Sequence, residues 1–238
     1  MKKVIFILFA FSSCAMFAQE SHPEEPSKLR VGISMAGTGC YRTLYADDTV
    51  GIGWVYDFTK KNEIAGIGYN VGLTASYTLS EHLNVDAGIK YTMHRYRSVD
   101  MTFTDVNGQK IGDGYVAFLN RFVSMPIGLH YITSTGKVRF LAGASVIPEY
   151  LIGVWSRGNY NLPDSYDFVD TYSKDSFTNY NSFVVSASAE AGFSLTTGKI
   201  TTEVLPNYKI CLMKQANDTP INRRLWSAGL EVRVLYSF

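Results

Sequence analysis

Over most of its length the chain alternates apolar residues with small or polar ones. Tyr69, Val71, Leu73, Ala75, Tyr77 and Leu79 are apolar, and Asn70, Gly72, Thr74, Ser76 and Thr78 separate them. A period of two marks a strand with one greasy face. A five-residue turn, SEHLN, leads to Val85, Ala87, Ile89, Tyr91 and Met93, which stand against Asp86, Gly88, Lys90, Thr92 and His94. Val123, Met125, Ile127, Leu129 and Tyr131 form another face, and Val138, Phe140, Ala142, Ala144 and Val146 follow the turn STGK. Phe183, Val185, Ala187, Ala189, Ala191 and Phe193 precede the turn TTGK, and Ile200, Val204, Tyr208, Ile210 and Leu212 follow it. The last strand is the most regular: Trp226, Ala228, Leu230, Val232, Val234, Tyr236 and Phe238. A first strand at residues 29–37 brings the number to eight.

The connections alternate too. Tight turns near Glu81, Ser134 and Thr197 take turns with long polar links at residues 38–66, 97–117, 152–180 and 215–222. Short turns on one side and long loops on the other are what transmembrane β-barrels show. Outward aromatics repeat every ten residues, as Phe140 and Tyr150, Phe183 and Phe193, and Trp226 and Tyr236. Ten residues at about 3.3 Å, tilted about 40°, rise roughly 25 Å, the height of an outer-membrane apolar band. The pattern predicts an all-β, eight-stranded, antiparallel up-and-down transmembrane β-barrel with a filled polar lumen. Val50, Ile52, Trp54, Tyr56 and Phe58 also alternate, which admits a hairpin above the membrane or a ten-stranded barrel. The hairpin is preferred, because one extra strand would put the C-terminus on the wrong side.

The start of the chain reads as an export signal over residues 1–18. Lys2 and Lys3 precede an apolar stretch at 4–11 that is too short to span a bilayer. Two processing routes are open, cleavage after Ala18 and lipidation at Cys14. Residues 19–28, polar and broken by proline, read as a disordered periplasmic lead-in to a barrel at 29–238. Without Lys2 and Lys3, 20 basic residues face 21 acidic ones, so no basic field points to nucleic acid.

The parity that turns apolar residues outward turns Arg30, Lys90, Arg139, Lys209 and Arg233 inward, together with Asp86, Glu149, Glu190, Glu203 and Glu231. An eight-stranded barrel is only wide enough for side chains to fill it, and unpaired charges inside would be costly. An ion-pair and hydrogen-bond network among these ten residues is therefore expected. Cys40 and Cys211 both face inward near the outer rim of an exported chain and are the candidates for a disulfide. Of four histidines, His22 lies in the lead-in and His82 and His130 lie toward the periplasm. Only His94 is near the outer rim, where it faces the lumen. No phosphate loop, CxxC or HExxH pattern occurs. The reading is of no catalytic site, no metal and no cofactor.

The segments IGYNVGLTASYTLSEHLNVDAGIKY, FVSMPIGLHY with its mid-strand Pro126, and VRFLAGASV resemble the PorT-like outer-membrane β-barrel domain family. More distantly, the chain is similar to small barrels of the OmpX kind. The closing LEVRVLYSF, with Trp226, Tyr236 and Phe238, matches the terminal signal read by the barrel-insertion machinery, a partner that the resemblance implies. These are barrel motifs and specify no activity. One family member is linked to a protein-secretion apparatus, so the resemblance adds a secretion-complex role to the alternatives. Pro126 cannot donate to a ladder, and a local break in pairing is expected there.

The stretch WSRGNYNLPDSYDFVDTYSKDSFTNYN is rich in Tyr, Asp and Asn, side chains that suit recognition of protein or glycan. The functional expectation is a non-enzymatic integral outer-membrane protein, structural or interacting through extracellular loops. It would be surrounded by outer-membrane lipid and lipopolysaccharide, with an envelope protein or glycan as the loop partner. A narrow channel and an outer-leaflet lipid A-modifying enzyme are the remaining alternatives.

Overall fold

The structure is a computed structural model that describes residues 28–46, 53–133, 136–161, 169–170, 180–216 and 221–238. The expected signal peptide and all but the last residue of the lead-in lie outside these residues, as does most of the Tyr- and Asp-rich stretch.

Among the described residues eleven strands follow one another: β1 (Leu29–Ala46), β2 (Glu63–Ser80), β3 (Leu83–Ser98), β4 (Met101–Thr104), β5 (Lys110–Ser124), β6 (Ile127–Ile132), β7 (Val138–Asn161), β8 (Val169–Asp170), β9 (Phe183–Thr197), β10 (Ile200–Cys211) and β11 (Ile221–Ser237). β5 and β6 are two halves of one barrel strand, and β4 and β8 are short additions outside the ring. The ring runs β1, β2, β3, β5 with β6, β7, β9, β10 and β11, and it closes where β11 pairs antiparallel with β1 along its whole length. The barrel therefore has eight strands, not ten.

Its geometry follows from the register. The path of Cα partners leaves Arg30 and passes Ser76, Asp86, Gly128, Ser145, Ser188, Lys209 and Ser227. It returns to β1 at Cys40, a shear of ten residues. With about 4.8 Å between strands and about 3.3 Å per residue, that shear tilts the strands by about 40°.

Where the sequence has its apolar period, the greasy side faces out. Ile33, Val71, Leu73, Ile89, Ile127, Leu129, Val146, Phe193 and Leu230 are all exposed large hydrophobics. The aromatic girdles are physical neighbours around the ring. At the lower edge Phe140 meets Phe193 edge-on at 5.8 Å, and at the upper edge Trp226 lies 5.9 Å from Tyr41 and 6.2 Å from Tyr208.

The ladder breaks between β5 and β6 at Met125 and Pro126. Neighbouring strands bridge the gap: Met125 N–H donates to Pro148 O at 2.9 Å, and Gly88 N–H donates to Pro126 O at 3.0 Å. The SEHLN turn is tighter than expected, with only Glu81 and His82 between β2 and β3. The turn after Thr197 is equally short, and Gly198 takes a φ of 58° there, a conformation that suits glycine.

The long links are corrected most. β1 runs on to Ala46, β2 starts at Glu63, β7 continues to Asn161, and β4 forms a hairpin with β5 inside the link at 97–117. Val50 and Ile52 lie outside the described residues, and the rest of that alternating stretch is no strand. It is a helix, α1 (Gly53–Lys61), closed by the Asn62 side-chain amide, which donates to Phe58 O at 2.7 Å. Lys60 and Lys61 sit in its last turn, where the helix dipole favours cations. No strand is available there to satisfy an extended backbone, and a helix satisfies its own.

A charge-filled lumen as the candidate functional site

Inward residues of all eight ring strands build the lumen, and Arg233 on β11 is its hub. Nε donates to Glu231 Oε1 at 2.6 Å, Nη1 to Asp86 Oδ2 at 2.8 Å and Nη2 to Glu190 Oε1 at 2.6 Å. Glu203 stands 3.7 Å from Nη1. Lys90 Nζ shares Glu231 at 2.6 Å, and Arg30 faces Glu203 at 4.0 Å while donating to Ser76 at 2.9 Å. His130 Nε2 is hydrogen-bonded to Glu190, and Nδ1 lies 3.0 Å from Asp86, close but out of line for a hydrogen bond. Both ring nitrogens face carboxylates, the arrangement of an imidazolium. Four acids (Asp86, Glu190, Glu203, Glu231) then meet four bases (Arg30, Lys90, His130, Arg233).

A second group lies toward the outer side. Glu149 accepts from Lys209 Nζ at 2.8 Å, Ser124 Oγ at 2.7 Å and Ser186 Oγ at 2.5 Å. Of the ten charges read as inward, Arg139 alone meets no carboxylate among the described residues; it donates to Thr196 Oγ1 at 2.8 Å.

Apolar layers lie above and below these polar layers. The roof is Tyr96, Phe122, Leu151, Val154, Val184, Cys211 and Leu225, all buried, with Phe118 stacked on Tyr96 at 5.2 Å. Above the girdle, burial in this roof pushes the Tyr96 phenol up to about 12. Arg42 lies over its ring at 4.3 Å and forms a two-pronged pair with Glu63. The floor, on one side of the lower lumen, is Ile132, Leu141 and Leu205. Leu141 and Leu205 meet across Gly192, which lacks the side chain that would hold them apart. Between roof and hub is a cavity of about 50 Å³, lined by Thr38, Asn70, His94, Ser145 and Asn207 among others. It has room for about three or four waters.

The expected disulfide is not formed: Cys40 and Cys211 are free and buried. β11 lies between their strands, so about two strand spacings, roughly 9–10 Å, separate them, beyond the reach of a disulfide. His94 points into the lumen, edge-on to Phe122 at 5.9 Å, with the roof between it and the outer leaflet. His130, Ser124 and Ser186 belong to the network without having been singled out, although inward parity marks each of them. The Arg42–Glu63 pair lay hidden in what reads as a long loop.

Greasy side chains outside, charges inside and a ring of strands closed on itself form a surface that needs hydrocarbon around it. The chain is an integral outer-membrane β-barrel protein. No family model and no curated protein matches the sequence, so the PorT-like resemblance rests on its motifs alone. Among solved structures it is similar to Neisserial surface protein A (16% identity, 89% of this chain and 99% of that one, TM-score 0.40). It is also similar to OprG from Pseudomonas aeruginosa (11%, 90% and 99%, 0.40) and the protease OmpT from Escherichia coli (8%, 92% and 99%, 0.41). The assignment of the fold rests on the closed ring itself.

Proposed function

We propose that the barrel is a non-enzymatic structural or interaction protein, a plugged mount that holds extracellular β-structure for an envelope protein or glycan partner. The closed lumen carries this reading. A cavity of about 50 Å³ between a hydrophobic roof and an ionic hub is no passage for a solute, and His94 under the roof is out of reach of a lipid substrate. What remains accessible is the part above the girdle. β7 runs 11 residues beyond Tyr150, roughly 25–30 Å upward, paired with β5 and β8. Phe103 packs on Tyr160 at 5.6 Å and Arg97 on Tyr115 at 4.6 Å, which stiffens this blade. Rigid aromatic and polar surface suits recognition.

The test is site-specific photo-crosslinking in intact cells from Val106 and Asn107, at the exposed tip of the β4–β5 hairpin. A discrete crosslinked partner is expected. Co-purification of several envelope proteins after mild detergent extraction would assign the partner to a secretion complex, as the family resemblance implies. No crosslink from either position, with solute uptake by proteoliposomes, would overturn the proposal.

A further inference from the structure

Cross-strand register arranges the outward face of β3, β5 and β7 in rows above the upper girdle. Tyr91, Val123 and Tyr150 form the girdle row. Above it come Met93, Arg121 and Gly153, then Arg95, Leu119 and Trp155, then Arg97, Ala117 and Arg157. Three rows on three adjacent strands thus carry four arginines and no acidic residue. Elsewhere, strand positions just above the girdle hold Thr43, Tyr45, Ile67 and a single arginine, Arg224, so the arginines are concentrated on the side of β3, β5 and β7.

Arg95 and Arg121, the two lowest of the four, are the ones available to a ligand. The Arg121 guanidinium lies over the Trp155 ring, 3.9 Å from its centroid, with its Nε without a hydrogen-bond partner. Among the described residues no carboxylate lies within ion-pair range of Arg121 or Arg95. Arg97 pairs with the exposed Asp100 at 2.7 Å, a contact open to water and to competition.

Their height selects the ligand. Two residues along a strand climb about 5 Å and the shear lifts each successive strand by about 3 Å, so Arg121 and Arg95 stand about 8 and 10 Å above Tyr91 and only about 2 and 4 Å above Tyr150, the other girdle tyrosine. A headgroup layer is about 5–8 Å deep on each side of the hydrocarbon. Guanidinium forks match phosphate oxygens two at a time, and aromatic rings beside them suit the interface.

We propose that this face binds the phosphate groups of an outer-leaflet glycolipid headgroup, with Arg95 and Arg121 as the direct ligands and Arg97 and Arg157 in the layer above. The proposal rests on the reading of the chain as an outer-membrane barrel and gives that barrel a preferred lipid on one side.

The test uses the full chain folded in detergent micelles and native mass spectrometry with bisphosphorylated lipid A, phosphate-free lipid A and phosphatidylcholine as probes. Wild type should retain bisphosphorylated lipid A through delipidation that strips the other two. R95Q/R121Q should weaken that retention at least about tenfold, R95K/R121K should restore part of it, and R224Q on the far side should not change it. Equal retention by R95Q/R121Q, equal retention of phosphate-free lipid A, or full displacement by millimolar inorganic phosphate would each overturn the lipid site. Heat-modifiable gel migration reports barrel folding separately. Its absence in wild type would sink the membrane reading, whatever the lipid result.

Discussion

A single side chain, Arg233, touches four carboxylates in a space with no bulk water to replace it. Removing one partner of a buried ion pair leaves the others uncompensated, at a cost of about 3–5 kcal/mol. Arg233→Ala should lose about that much in urea unfolding of the micelle-bound barrel. Arg139→Ala removes a half-buried cation with one hydroxyl partner and should lose under about 1 kcal/mol. Equal losses would show that the hub is no more than lumen filling. The cysteines give a second residue-scale prediction. Both thiols are buried and unbridged, so an alkylating reagent without reductant should label neither in the folded barrel and both after denaturation. A mass two hydrogens short, restored by reductant, would mean that the strands approach as they do not here. Parity along the strands was enough to turn the hub residues inward. It could not rank them, because which base meets which acid depends on shear, and shear is a property of the closed ring.

At the level of elements, the strands are legible only as far as the membrane reaches. Within it, hydrocarbon outside and charge inside impose a two-residue period. Beyond the girdle no hydrocarbon bathes the outward face of β5 and β7 and no charge fills the inward one, the period fades, and the strands read as loop although their ladder continues. The stretch at Trp54 misleads in the opposite sense, because its alternation exists without a strand beside it to pair with. Prediction follows from the same distinction. Deleting residues 102–112, which removes most of the hairpin but no barrel pairing, should leave heat-modifiable folding and urea midpoint unchanged, while abolishing pull-down of the partner that the full chain crosslinks. The short turns are less forgiving. Gly198→Ala puts a Cβ on a residue at φ 58° and should destabilise by about 1 kcal/mol in the same unfolding assay.

Across the whole molecule, ten inward charges invite the reading of a polar conduit, and it is the apolar layers that forbid one. Ions cross a hydrophobic constriction only when it is wide enough to stay wet. The roof fills the lumen cross-section with Tyr96, Phe122, Leu151, Val154, Val184 and Leu225, and the floor narrows it with Leu141 and Leu205. Wild type should therefore be silent in planar bilayers. Arg233→Ala should be silent as well, since it empties the ionic middle and leaves both apolar layers in place. Discrete openings should appear only when roof and floor are thinned together with the hub, as in Arg233→Ala/Phe122→Ala/Leu205→Ala. Conductance from Arg233→Ala alone would mean that the ion pairs are the seal and the apolar layers mere lining, and the barrel would then be one broken salt bridge away from a channel.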